Sequence, residues 1–492
     1  MQDQRDERPG AMGGVTALLQ RVFGAFRAAY LPVLATYFCY GASGISAIAL
    51  LFFEKEALGI TPAEAAGIAF WVALPWSTKM VAGVASDIHP ILGSRRKSYL
   101  LLGALCSFAG YAWLATAVNS KATLLAALVV VTVGFMVQDV VADALSVEVA
   151  RSDEEIAQVQ ALGRMALLTG SISVGYLSGW LSGAIGPRGV FAVAMVLPAL
   201  VAACALFVRA EPRRRAARAG AGDDGPLGGG KARLVLMVGL GYAAFGVLLE
   251  TFQVPFAQEL ILVISGALIV MLLGRVGISR AVAVAAFAIF LFRATPGAGQ
   301  GYSYWAIDRL GFDQQFLGLL AQVSSVLSLV GLIVFRKAIT RHPVSFTLFW
   351  VTIVGSLLYL PTIGLFYGAN EWVGLSPRTF AFIDTTIAAP LAQLSMVPML
   401  ALIAKTAPKG AEATMFAIMA SLMNLALAAS ELFTSCLNTF FAVTQQDYSN
   451  LGRLLITVGV LGLVPLLALP LLRRQETQSR PTPELALRPA AD

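Results

Sequence analysis

Charge is scarce in this sequence. Asp, Glu, Lys and Arg make up 13% of its 492 residues, about half the share of a soluble globular chain. That scarcity excludes a water-solvated surface over most of the molecule. Histidine occurs only twice, at His89 and His342, both near turns, so a histidine-based metal centre is not expected. Cysteine occurs four times, at Cys39, Cys106, Cys204 and Cys436, each inside an apolar run and without metal or redox spacing. These read as small buried or lipid-facing hydrophobes. No nucleophile with a base, metal cluster or phosphate loop stands out, so an enzyme is not expected. The N-terminal MQDQRDERPGAMGG is polar and partly acidic and looks neither like a cleaved signal peptide nor like a transit peptide.

What the chain has in abundance is apolar length. Hydrophobic residues make up 58%, gathered into runs near the ~20 residues that a bilayer requires. The spans run over 31–53, 62–86, 99–118, 124–145, 159–181 and 190–208, then 234–252 and 260–273, then 282–304, 316–335, 344–367, 379–403, 413–441 and 454–472. The reading is an all-α polytopic membrane protein of about twelve to fourteen transmembrane helices. Its divisions are a cytoplasmic N-terminal segment (1–30), a six-helix bundle (31–208), an Arg/Gly-rich cytoplasmic linker (209–233), an inserted hydrophobic helix pair (234–278), a second six-helix bundle (279–473) and a cytoplasmic tail (474–492). The net charge of +7 does not point to nucleic acid, because the basic residues sit between apolar spans. With the N-terminus inside, Arg95/Arg96/Lys97, the linker arginines, Arg275/Arg280, Arg336/Lys337/Arg341, Lys405/Lys409 and Arg473/Arg474 all fall on the cytoplasmic side. The expected location is the cell (inner) membrane of a bacterium, with both termini cytoplasmic and a monomer as the default state.

An internal repeat links the halves. Leu58-Gly59-Ile60-Thr61 before the second span matches Leu310-Gly311-Phe312-Asp313 before its counterpart: a Leu-Gly turn, an apolar residue and a helix N-cap. Thr61-Pro62-Ala63-Glu64 also reads as a capping box with proline at the first helical position. Between spans 2 and 3, Gly83, Asp87 and the basic turn Arg95-Arg96-Lys97 resemble the corresponding loop of the major facilitator superfamily, which is built from parallel halves.

Ionisable residues inside the spans are expensive and functional by default. Lys79 lies in span 2 after Pro75 and Trp76; Asp139 and Asp143 lie four apart in span 4 and so share a helix face. Arg164, Asp384 and Glu431 are further cases, and Glu412 opens the eleventh core span. Structural readings exist for some of them: Lys79 can snorkel, Asp143 and Glu148 can pair with the basic loop, and Arg164 can be wet. Arg293 is followed by ATPGAG, where Pro296 and nearby glycines break the helix. A cation beside broken helix in a cavity-lining span favours anion binding. Gly175, Gly179 and Gly183, four apart, mark a close helix-packing face.

Taken together, these stretches resemble the folate-biopterin transporter family, a branch of the major facilitator superfamily. They are Leu74-Pro75-Trp76 with Lys79; Gly83, Ser86-Asp87 and Gly93-Ser94-Arg95-Arg96-Lys97; Asp139-Val-Val-Ala-Asp143 with Glu148; Arg293-Ala-Thr-Pro296; Leu310-Gly311-Phe312; and Pro408-Lys409-Gly410 with Glu412, then Ser421 and Asn424. Met80 stands where the family pattern has proline, and the inserted pair is more hydrophobic than the family's central region. The resemblance implies the facilitator fold and a small-molecule substrate, a folate or pterin, with no cofactor and protons as the coupling ion. A carboxylate (Asp139, Asp143 or Asp384) would accept the paired N–H groups of a pterin edge, and Trp76, Trp71 or Trp305 would face its ring. Arg293 or Lys79 would hold the glutamate-tail carboxylates. Gly83, Asp87, Arg95 and Arg96 would serve the conformational loop, and Lys409 and Glu412 a cytoplasmic-end motif. A facilitator carrier or exporter of another organic solute or drug, and a non-transporting membrane receptor, remain open alternatives.

Overall fold

The structure, a computed structural model, describes residues 27–89, 91, 94–207, 229–276, 279–407 and 412–478. Both tails, most of the 209–233 linker, Pro90, Gly93 and the turn containing Lys409 lie outside the described residues, as does the side chain of Glu412.

Helices carry the described chain, and no strand occurs among the described residues. In chain order they are α1 (Ala28–Ala57), α2 (Pro62–Ile88), α3 (Lys97–Thr116) and α4 (Lys121–Val149). A 53-residue apolar stretch, Glu154–Leu206, reverses at Gly186 (φ 71°, ψ 169°) ahead of Pro187, so it forms two helices, α5 (153–185) and α6 (187–207). The pair α7 (Gly229–Thr251) and α8 (Ala257–Val276) follows. The second half holds α9 (Arg280–Arg293), α10 (Gln300–Leu310), α11 (Gln314–Arg341), α12 (Val344–Phe366), α13 (Pro377–Thr406), α14 (Glu412–Phe440) and α15 (Leu451–Thr477). Twelve of the described helices are long and apolar enough to cross a membrane, counting the reversed stretch once. Leu105, Met237, Leu240, Val247 and Val263 are exposed, as expected where the surrounding solvent is lipid.

Two ends can be told apart by what meets there. At the end nearest the chain termini, Arg27 pairs with Glu155 (2.8 Å) and donates to the Val149 carbonyl (3.0 Å); Lys97 donates to the Leu206 carbonyl (3.1 Å); Gln475 donates to the Arg280 carbonyl (2.9 Å); and Glu476 accepts from the Ser345 hydroxyl. At the far end, Arg188 donates to the carbonyls of Thr116 and Val118, both at 2.7 Å. So α5 leaves the terminal end and α6 returns to it. The apolar runs alone place the start of α5 and the end of α4 several residues too far inside. Ser152 caps α5 by accepting from the Glu155 amide (3.2 Å), and the Glu155 carboxylate holds Arg27 and Tyr30, so polar contacts extend both helices beyond the apolar stretch.

The repeat is geometric as well as sequential. Gly59 (φ 63°) and Gly311 (φ 65°) both take the left-handed conformation that glycine accepts without strain. Ile60 donates to the Glu54 carbonyl (2.9 Å) and Phe312 to the Ala306 carbonyl (3.2 Å), six residues back in each case. Both apolar residues are buried, and Thr61 and Asp313 each cap the next helix. The offset that carries Gly59 to Gly311 also carries Ser43–Ser46, a tightened turn inside α1, onto residues 295–298, where the α9–α10 span is broken outright. Each half therefore has its first span interrupted at the same level.

Candidate functional site

In the first half, α2 and α4 bring three of the expected residues together. Lys79 opens the second segment of α2, just past the offset that Pro75 puts into the helix. Its Nζ lies 3.4 Å from Asp139 Oδ2 and 3.8 Å from Asp143 Oδ2. The shared face of Asp139 and Asp143 is what lets one ammonium reach both. Asp139 is buried, and Asp143 also accepts a hydrogen bond from the Tyr37 hydroxyl of α1. Tyr37 rests on Gly163 of α5, where a Cβ would come within 2.7 Å of its ring. Arg164 follows at once and lies within electrostatic reach of Asp139. Lys79 is thus a paired cation, with two carboxylates, a phenol and a second cation around it. Sequence reasoning missed Tyr37. A tyrosine among apolar residues in ATYFCYG carries no pattern that separates a partner of Asp143 from a packing ring.

Trp76 lies one turn before Lys79. Its ring is 5.1 Å from that of Tyr40, tilted by 35°, and its carbonyl accepts from Asn424 Nδ2 of α14 at 3.0 Å. That bond ties the Lys79 segment to the other half.

In the second half, α9 ends on Arg293, and the chain runs unwound to Gln300. The freed backbone groups are taken up by a polar stripe on α14. Ser430 donates to the Thr295 carbonyl (2.7 Å), Thr434 accepts from the Gly297 amide (3.0 Å), and Asn438 donates to the Ala298 carbonyl (3.2 Å). Their spacing of four is visible in the sequence and could have been found there. Arg293 Nε is buried without a hydrogen-bond partner among the described residues, an open donor at a break in a helix. Asp384 of α13 accepts from the Thr362 hydroxyl (3.2 Å) and lies within electrostatic reach of Tyr302. Trp305 stands by, 5.7 Å from Tyr302 and 5.2 Å from Phe366. No hydrogen bond or ion pair among the described residues joins Arg293 or Asp384 to the Lys79 cluster; they belong to opposite halves.

The loop residues form a separate group at the terminal end. Arg96 pairs with Asp87 (2.7 Å) and Glu148 (2.8 Å) and donates to Ser86 Oγ (2.7 Å), locking the ends of α2 and α4 to the turn before α3. A Cβ on Gly83 would meet Val140 of α4 at 3.4 Å. Arg95 is exposed.

The halves touch mainly at the far end. Lys55 pairs with Asp308 (2.6 Å), Gln445 donates to the Ile60 carbonyl (2.8 Å), and Ser435 donates to the Ala63 carbonyl (2.7 Å). Gly179 packs on Gly318, and the Tyr176 amide donates to Gln322 (3.0 Å). None of the hydrogen bonds between halves found among the described residues lies at the terminal end. A large cavity, about 1380 Å³, is elsewhere: an apolar gap between α2, α4 and α7, lined by residues such as Leu74, Val81, Val137 and Leu240, with Lys79, Asp139 and Asp143 not in its lining. Just outside the spans, the Asp313 cap is held below the usual carboxylate range. Its partial burial pushes upward, and the Phe316 amide and Arg378 outweigh that push.

The sequence profile of the BT1 family matches residues 41–481. A folate-biopterin transporter from Synechocystis sp. is 30% identical over 454 residues, covering 91% of this chain and 82% of the relative. Folate transporter 2 of Plasmodium falciparum is 21% identical, covering 89% and 86%. Among solved structures, a POT family transporter in complex with a thioalcohol conjugated peptide superposes with a TM-score of 0.67 at 16% identity, covering 93% of this chain and 98% of that one. The nucleoside transporter NupG gives 0.61 at 10% identity, covering 90% and 99%. At these identities the structures speak to the fold alone, which is the major facilitator fold expected from the sequence.

Proposed function

Because this chain belongs to the BT1 family of membrane transporters, we propose that it carries folate- or pterin-type organic anions, by proton-coupled uptake and alternating access of a central site. The observation that carries this reading is the Lys79–Asp139–Asp143 cluster with Tyr37, set inside a multi-pass membrane chain whose relatives include a named folate-biopterin transporter. Ionised groups taken from water need partners, and here one cation is shared by two carboxylates. A substrate whose pterin edge offers paired N–H donors can replace Lys79 on one of them. A substrate carboxylate can in turn engage Lys79, or Arg293 with its open donor. A carboxylate freed of its cation in a dry site favours a proton, which gives a route for proton and substrate to be exchanged together.

Alternating access is supported by the arrangement of contacts. The halves are joined at the far end by Lys55–Asp308, Gly179–Gly318 and the Gln445 bond, and no hydrogen bond between them lies at the terminal end among the described residues, which fits a state closed at the far end. Rocking would break these and make contacts at the other end. The test is uptake of radiolabelled folate and biopterin into proteoliposomes, with and without an inward proton gradient, for the wild type and Arg293→Ala. Saturable, gradient-driven uptake that fails in the variant supports the reading. A correctly folded and oriented wild type that takes up neither compound refutes the substrate assignment.

A further inference from the structure

Glu54 has no part in the site described above, yet it is only 3% exposed. It lies near the far end of α1 in a wide π turn, Phe53–Ala57. Such turns cost helix regularity and occur often at functional positions. Its two neighbours in sequence are committed elsewhere. Phe53 packs on Phe191 (5.5 Å) under Arg188 (5.6 Å), within the first half. Lys55 crosses to the second half and pairs with Asp308 (2.6 Å), whose other oxygen accepts from the Tyr448 hydroxyl (2.6 Å). Glu54 is left between them, and no hydrogen bond or ion pair to its carboxyl is found among the described residues.

Tyr304 of α10, in the other half, lies within electrostatic reach of Glu54. Tyr304 is fully buried, and its hydroxyl has no hydrogen-bond partner among the described residues. Lys55 lies over the Tyr304 ring at 5.9 Å, and Tyr448 and Glu64 are the other titratable groups that act on Tyr304. Asp308 completes the set. The cations around it are engaged elsewhere: Lys55 is held by Asp308, Lys121 pairs with Glu64, and Arg188 donates to the Thr116 and Val118 carbonyls, with no ion pair from any of them to Glu54 among the described residues. A carboxylate without a cation cannot stay ionised in such a place at low cost. A neutral carboxyl can.

On the alternating-access reading above, this enclosure loosens when the halves part at the far end, because Tyr304, Asp308 and Tyr448 all come from the second half. We propose that Glu54 is a proton-binding latch on the far-end gate: its carboxylate takes up a proton from water while that end is open, and the neutral carboxyl permits the halves to close over it. Reopening returns the carboxyl to water and releases the proton. Acid therefore favours the closed far end and alkali the open one, whatever solute is carried. Linkage of one proton changes the closed-to-open ratio by up to about tenfold per pH unit.

The test needs no substrate. Asn119 and Gln446 are exposed far-end residues on opposite halves. Asn119→Cys and Gln446→Cys would be spin-labelled in full-length protein lacking Cys39, Cys106, Cys204 and Cys436, held in lipid nanodiscs. Distance distributions would be read by pulsed dipolar spectroscopy from pH 5 to pH 9. The wild-type background should move from the short to the long distance as pH rises. Glu54→Gln should keep the short distance throughout, and Glu54→Asp, which still titrates, should keep the pH response. A Glu54→Gln protein that shifts with pH as the wild type does, or a wild type with no pH response, overturns the proposal.

Discussion

Gly179→Val tests whether the far-end contact is a moving gate or a fixed joint. A Cβ on Gly179 would fall against the Gln314 carbonyl, 2.9 Å from Gly318 Cα and 3.0 Å from the Gln314 carbonyl carbon. Carbon atoms rest about 3.5–4.0 Å apart, so α5 and α11 must separate by about 1 Å before even one methyl fits. The obstacles are backbone atoms, which cannot swing aside as a side chain does. Overpacking of this kind costs about 1–3 kcal/mol. If the crossing closes only in the state seen here, that cost falls on this state alone and lowers the closed-to-open ratio by about 5- to 150-fold. The assay is the far-end label distance between Asn119→Cys and Gln446→Cys, with the transport rate measured in parallel. The expected result is a longer distance and slower transport with normal expression. Gly241→Ala is the control, since its Cβ meets no atom within 4 Å, and it should match the wild type. A Gly179→Val protein with wild-type distance and rate would show that the crossing tolerates separation and would refute the gate reasoning.

Three other outcomes follow from the same geometry. Lys79→Gln leaves the buried Asp139 facing Asp143 without their shared cation; breaking such a pair costs about 3–5 kcal/mol, and thermal melting in detergent should fall accordingly. Lys79→Gln with Asp139→Asn should recover most of that melting temperature while transport stays lost, which separates the structural from the functional role. Arg96→Ala removes the tie among Asp87, Glu148 and Ser86; substrate binding by isothermal calorimetry should persist while the transport rate drops, and unchanged transport would remove the loop from the mechanism. For Asp313, the Phe316 amide and Arg378 hold the carboxyl below its unfolded value of about 3.9. A depressed folded pKa gives stability that is present above the unfolded value and is lost as pH falls through the folded one. Asp313→Ala should cost about 1 kcal/mol at neutral pH, and acid titration of its melting temperature below about pH 4 should be flatter than that of the wild type.

Composition and periodicity determined the solvent. With so few charges and so many apolar runs of bilayer length, lipid is the solvent that accepts the outward apolar side chains, and within it the helix satisfies the backbone. Local chemistry determined several details as well. Thr61 and Asp313 are caps because their side chains accept from amides three residues on; Gly59 and Gly311 turn because only glycine adopts that conformation freely; and residues 294–299 break because Pro296 and its glycines cannot continue a helix. The spacing of Asp139 and Asp143 fixed that they share a face, and the resemblance of the ordered motifs fixed the family. Tertiary structure decided what those groups meet. The sequence singles out Arg293 by its broken helix and leaves Lys79 and Arg164 with structural readings as well; packing gives Lys79 two carboxylates and leaves Arg293 Nε without a partner among the described residues. It turns Tyr37 toward Asp143, sets Ser430, Thr434 and Asn438 against the broken helix, and buries Glu54 next to the Lys55–Asp308 pair that joins the halves. Each of these joins residues on different helices at least sixty positions apart, and helix periodicity carries no information at that range. The cost of burying an unpaired charge depends on what stands opposite it, and only the folded chain supplies that.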